Sequence, residues 1–201
     1  MFADLLAHPG VDERRVLGSP IGFMAIHGGI EEGTVEVATE AARRSGASLY
    51  AVVLPDDLWW HVPSRLIRPT ESPVLAEFLD HVAVAVSIHG YGRAGLFTSV
   101  LLGGRNRELA GHLRDHLAPL LPDYDLVDDL ERIPPDLRGL HPDNPVNGPA
   151  RGGVQVELPP RIRGMGPFWD VHDSGAERAP HTEALIHGLA EAAREGALHS
   201  G

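Results

Sequence analysis

The stretch IGFMAIHGGIEEGTVEVATEAARRSG, from Ile21 to Gly46, changes its character part-way. Ile21 to Ile26 is apolar throughout, which predicts a strand buried on both faces. Gly28-Gly29 break that run. Thr34 then predicts an N-cap for a helix from Val35 to Arg44, with Ala38, Ala41 and Ala42 on the packed side. Glu40 and Arg44 form an i,i+4 pair, and Gly46 stands where a helix stops. A second strand, Leu49 to Leu54, follows after a short turn. Strand, helix and strand in this order predict an α/β sheet with helices packed on its faces.

The rest of the chain continues the alternation. VAVAVSI, Val82 to Ile88, is apolar on both faces, as a central strand must be. A short helix from Val74 to Leu79 precedes it. Further strands are predicted at Leu96 to Leu102, Asp123 to Asp128 and Val154 to Leu158. Arg105 to Leu117 carries Leu109, Leu113 and Leu117 at i,i+4 spacing, an amphipathic helix. A last helix starts at Pro180, with Leu185, Leu189 and Ala192 on one face. Two segments fall outside this pattern. Asp56 to Ser72 reads as a long surface loop. Ile133 to Gly153, mostly Pro, Gly, Asn and Asp, is long enough to be functional, as the wall or the lid of a cleft.

A chain of 201 residues fits a single domain, residues 1–201. Its net charge of −11 repels nucleic acid and anionic lipid, so neither is an expected partner. With no cysteine, disulfides, thiolate ligands and a cysteine nucleophile are excluded. No apolar run approaches the roughly 18 residues of a membrane span. The N-terminal residues lack a basic start and an apolar core, so no secretory leader is expected and a cytoplasmic location is the simplest.

Three predicted strands end on an ionisable residue: His27 after IGFMAI, His89 after VAVAVSI, and Glu157 in GGVQVEL. In open α/β sheets the carboxyl ends of strands line the ligand crevice, so three such residues can converge. Their types suit a catalytic zinc, which takes two histidines and a carboxylate and keeps a fourth position open. His27, Glu31 and His89 supply that set. Glu157 is the expected general base, since alternation places it with Gln155 on the face opposite the valines. Other readings compete. A strand-end histidine can be a hydrogen-bonded structural residue, and Glu31 and Glu32 can be first-turn acids favoured by the helix dipole. Gly28-Gly29 could cradle a phosphate, but two adjacent carboxylates oppose that.

HGGIEEGTVEVA resembles the opening motif of the poly-γ-glutamate hydrolase family, HGGGIEPGTSELA. SIHGY with Gly103-Gly104 is similar to the family's second motif. HPDNPVNGPARGGVQVEL resembles its closing segment, in which Asn-x-x-Asn precedes GVQLE. LWWHVPSR, with His61 and Ser64, resembles its LHITS segment. The motifs run from Ile21 to Arg163 in the family's order.

The resemblance implies a three-layer α/β/α sandwich around a mixed sheet, similar to the zinc carboxypeptidases. It implies cleavage of γ-glutamyl amide bonds of a peptide-like substrate, with zinc held by His27, Glu31 and His89 and Glu157 as base. His61, Asn144 and Asn147 become the expected substrate-binding residues. The chain departs from the pattern in three places. HGGIE is one glycine short, so the IE pair selects Glu31 whereas spacing selects Glu32. The family's arginine after the second Asn is Gly148 here, which leaves Arg151 as the substitute to hold a carboxylate or polarise the carbonyl. Trp59 and Trp60 flank His61, where they narrow the cleft or pack on the core.

A polyanionic substrate would require Arg93, Arg105, Arg151, Arg161 and Arg163 to gather at the cleft. A small γ-glutamyl or N-acyl amino-acid amide is the alternative substrate. A non-catalytic metal-binding protein and a zinc-free binding protein are the rival classes.

Overall fold

The computed structural model describes residues 1–165 and 178–198. Its mixed sheet has seven strands in the order β1-β3-β2-β4-β7-β5-β6. They are β1 (Asp12–Val16), β2 (Ser19–Gly28), β3 (Ala47–Val53), β4 (Val84–Gly90), β5 (Ser99–Leu102), β6 (Asp125–Val127) and β7 (Gly153–Leu158). The central strands β3, β2, β4 and β7 run parallel, while β1 joins β3 and β5 joins β7 antiparallel.

Alternation along the central strands sorts side chains into two apolar layers. Phe23, Ala25, Val86, Ile88, Val154 and Val156 meet α2 (Thr34–Ser45), α4 (Arg107–Leu117) and α5 (Pro180–Leu198). Met24, Ile26, Tyr50 and Val52 meet α1 (Phe2–Leu6) and α3 (Pro73–His81) on the other face. The result is the expected three-layer α/β/α sandwich. Leu189 of α5 is fully buried in the larger layer, so truncating it to alanine costs about 2–5 kcal/mol through lost transfer energy and the cavity left behind. No described helix is long and apolar enough to cross a membrane.

Gly28-Gly29 are required by close packing against β3 and the residue after it. A Cβ on Gly28 would run into Val35 and lie 2.6 Å from the Val52 carbonyl. Gly29 has φ +91, and its Cβ would lie 2.5 Å from the Leu54 carbonyl. The amides that a phosphate cradle would use are already bonded, since the N–H groups of Ile30 and Glu31 donate to the His27 carbonyl.

Several sequence expectations need correction. Gly33, with φ +83, is the N-cap of α2, and Thr34 is its first helical residue. The Thr34 hydroxyl instead donates to the Glu31 carbonyl at 2.6 Å. Strand β1 is too polar to show an apolar pattern; it forms because Arg14 and Arg15 pair in register with Ala51 and Tyr50 at the sheet edge. Asp56 to Ser72 is not wholly a surface loop: Val62 and Ile67 are buried, and two short 3-10 turns hold it. The strand predicted from Leu96 begins at Ser99, because a turn bonds the Ser99 N–H to the Leu96 carbonyl.

Candidate metal centre and cleft

The parallel strands β2, β4 and β7 lie side by side, so their carboxyl ends deliver His27, His89 and Glu157 to one place. His89 and Glu157 are direct partners in the β4–β7 register, as are Ser87 and Gln155 one pleat earlier. Glu31 sits in the turn between β2 and α2, and that turn folds it back over the strand ends. One ligand atom from each of His27, Glu31 and His89 falls within 4.8 Å of the others.

Glu31 bridges the two imidazoles. Its Oε1 is 2.8 Å from His27 Nδ1, and its Oε2 is 3.3 Å from His89 Nδ1. Oε2 also accepts from the Gly90 N–H at 3.0 Å. Glu32 is exposed and takes no part in this cluster. Behind each ring stands an outer partner. His27 Nε2 lies 2.9 Å from the Val62 carbonyl, and His89 Nε2 lies 2.9 Å from the Ser87 hydroxyl.

The Val62 contact fixes a tautomer. A carbonyl only accepts, so His27 Nε2 must carry a proton, and in the neutral ring Nδ1 is then a lone pair. That lone pair faces a carboxylate oxygen at 2.8 Å. Two acceptors at this distance repel unless a proton or a cation lies between them. Burial alone would raise the Glu31 carboxyl, but His89 and His27 beside it hold it well below the usual carboxylate range. Burial disfavours a charged His89, yet the neighbouring Glu31 outweighs it and raises its pKa. The field of Glu31 that raises the His89 pKa also draws a divalent cation. Two imidazole nitrogens and a carboxylate, each imidazole held from behind, form a donor set that fits zinc.

Glu157 is buried beside this cluster. Burial pushes its carboxyl above the ordinary glutamate value, opposed by His89 and by the Gln155 amide. Gln155 Nε2 donates to Glu157 Oε1 at 2.7 Å, and Asn144 Nδ2 donates to Gln155 Oε1 at 2.7 Å. His61 lies beside His27, with ring centroids 4.6 Å apart and the rings tilted by 45°. Burial, with His27 next to it, lowers the His61 pKa.

All seven of these side chains, from His27, Glu31 and His89 to Glu157, Gln155, Asn144 and His61, line a cleft of about 350 Å³. Pro135, Gly139 and His141 form its far side, so the Pro-rich segment is an ordered wall. Trp60 is partly buried and packs against the core, while Trp59 is exposed.

Two expected site residues lie elsewhere. Arg151 lines a separate cavity with Ile21 and Val84, at the opposite end of the sheet. Its backbone N–H is bonded to Ala83, just before β4 begins. At about 3.3 Å per residue, His89 is about 20 Å further along. Asn147 braces the wall: its oxygen accepts from the Arg105 N–H, and its amide donates to the Gly139 and His141 carbonyls.

Of the five arginines that a polyanion would require, none lines the cleft. Arg163 is held behind it by the Glu32 and Leu158 carbonyls, and Arg93 is bonded to Asp136 on the rim. The cleft's guanidinium is instead Arg65, in the turn after His61, a position that no motif in the sequence marks. Ser87 does carry a signal in the sequence, as the lone hydroxyl of VAVAVSI two residues before a histidine.

A family model described as poly-gamma-glutamate hydrolase matches residues 3–185. A bacteriophage poly-gamma-glutamate hydrolase is similar in structure, with a TM-score of 0.74 and 25% identity over 93% of this chain and 89% of that one. A zinc-free apo form of YNDL gives a TM-score of 0.75 at 21% identity, over 93% and 91% of the two chains. A tripeptide-bound cell shape determinant, Csd4 of Helicobacter pylori, gives 0.52 at 9% identity, covering 95% of this chain and 56% of that one. Comparison with curated protein sequences gives no match.

Proposed function

The chain belongs to the poly-γ-glutamate hydrolase family, and we propose that it cleaves γ-glutamyl amide bonds with zinc held by His27 Nδ1, Glu31 and His89 Nδ1. The observation that carries this reading is the His27–Glu31 contact, in which a fixed tautomer leaves a lone pair against a carboxylate. Bound there, zinc would polarise the scissile carbonyl and lower the pKa of water. Glu157 takes the proton from the attacking water as the C–O bond forms. It then returns that proton to the amide nitrogen as the C–N bond breaks. Burial raises its carboxyl above the ordinary glutamate value, which makes it a stronger proton acceptor than a solvated glutamate. His61 stands at the cleft mouth as a donor to the developing oxyanion.

Arg65 is the cation that the cleft offers to an anionic substrate, in place of Arg151. It is exposed, and among the described residues no acid pairs with it. A single guanidinium suits the free α-carboxylate of one γ-glutamyl unit. The cleft's volume also lies at the small end of ligand sites, which favours a short γ-glutamyl amide as the second reading of the substrate.

The test is elemental analysis of the purified protein with hydrolysis of poly-γ-glutamate and of small γ-glutamyl amides. About one zinc per chain is expected, lost in His89→Ala and Glu31→Gln and kept in Glu32→Gln. Glu157→Gln is expected to keep zinc and lose turnover. A wild type that takes up no zinc when it is supplied rejects the reading.

A further inference from the structure

We propose that Gln155 is a positioning residue for Glu157 and that Asn144 sets the direction of its amide; this rests on the reading of Glu157 as proton acceptor. The Val146 N–H can only donate, and it lies 3.3 Å from Asn144 Oδ1. That identifies the oxygen of the Asn144 amide, so its Nδ2 is what faces Gln155 at 2.7 Å. Gln155 must therefore turn its oxygen to Asn144 and its Nε2 to Glu157 Oε1, also at 2.7 Å. Direction passes along three side chains from one peptide N–H to the carboxylate.

The chain is also confined. Asn144, Gln155 and Glu157 are 4%, 5% and 4% exposed, so an amide turned the wrong way would set two acceptors together out of water. The cleft wall closes on Gln155 at Gly139, which has φ +65. A Cβ there would lie 2.7 Å from both the Gln155 Cβ and its Oε1. Alternation along β7 has already put Gln155 and Glu157 on one face. With Oε1 held, Glu157 has one aimed oxygen, Oε2, for the water proton and the leaving nitrogen. Asn144, expected from sequence to touch substrate, acts through Gln155 instead.

Two substitutions separate positioning from polar filling. Asn144→Asp keeps the acceptor for Val146 but replaces the donor by a second acceptor. The Gln155 amide then turns over and presents its oxygen to Glu157. Gln155→Met keeps length and volume and removes the donor without adding charge. Both are compared with wild type as zinc-loaded protein, with poly-γ-glutamate as substrate and with zinc content and thermal melting recorded alongside.

Each variant is expected to lose about tenfold or more in kcat, with KM within about twofold of wild type and zinc content unchanged. Folded variants with wild-type kcat overturn the proposal. A raised KM at unchanged kcat also overturns it, by assigning Asn144 to substrate. If Asn144→Asp does not fold, Gln155→Met decides alone. Failure of the base reading shows separately, as retained turnover in Glu157→Gln.

Discussion

The Ser87 hydroxyl lies 2.9 Å from Nε2 of His89, two residues further along the same strand. Both side chains stand on the face of β4 that carries the site, and Ser87 is fully buried. The hydroxyl leaves His89 Nδ1 turned to Glu31 and holds the ring's orientation. Partners of this kind typically contribute about 10–100-fold to metal affinity. Ser87→Ala is therefore expected to weaken zinc binding by about tenfold, measured by competition with a chromophoric chelator. Alanine fits the space but leaves the buried His89 Nε2 without its partner, so the metal-free protein should also lose about 1–3 kcal/mol of stability. Unchanged affinity would show that strand packing alone orients His89.

Arg65 predicts a selective loss. Arg65→Met is expected to raise KM for a γ-glutamyl polymer several-fold and to leave kcat nearly unchanged, because an exposed charge pair is worth only about 0–1 kcal/mol in water. Screening acts on exposed charges, so the ratio of the two KM values should shrink towards one as salt rises. An equal KM in the two proteins would move carboxylate recognition away from this turn.

Much of this architecture was legible because the central strands are buried on both faces, so their apolar runs and polar ends stand out. Those polar ends point to His27, His89 and Glu157 at one crevice, while Glu31 is read from its place after His27 and from the family motif, with Glu32 as its rival. Strand β1 escapes such a reading, since an edge strand such as DERRV is held by backbone pairing rather than by an apolar pattern. Arg151 misled because nearness in sequence to the closing motif says nothing of which strand end a residue occupies. It precedes β7, whereas Glu157 stands near the strand's end. The Val62 carbonyl behind His27 was invisible for another reason: a backbone acceptor has no residue type to read.

Gly28 tests the close approach of β2 to β3. Gly28→Ala places a methyl against the Val35 side chain and 2.6 Å from the Val52 carbonyl. The side chain can turn, but the carbonyl belongs to the sheet. Overpacking of this kind costs about 1–3 kcal/mol, read as a lower denaturation midpoint at unchanged m-value. The shift also carries His27, the residue before, away from Val62, so zinc affinity should fall together with stability. Loss of stability at full affinity would mean that the strand gives way without moving the ligand.

Glu40 gives α2 a contribution that pH can remove. Its carboxylate accepts from Arg43 at 3.0 Å and from Arg44 at 3.3 Å, and Arg44 also pairs with Glu183 of α5. The Arg43 hydrogen bonds lower the Glu40 pKa from 4.5 to about 2, against a smaller opposing effect of burial. A carboxyl whose pKa is lower in the folded state stabilises fully above pH 4.5, and that stabilisation fades as pH falls towards about 2. Arg43 is 66% exposed, so solvent screens the pair and the contribution is held to about 1 kcal/mol or less. Glu40→Gln should therefore melt about 2–4 °C lower than wild type at pH 7. The two melting curves should converge as pH drops through that window. A gap that persists at the acid end would assign the loss to packing between α2 and α5 rather than to the ion pair.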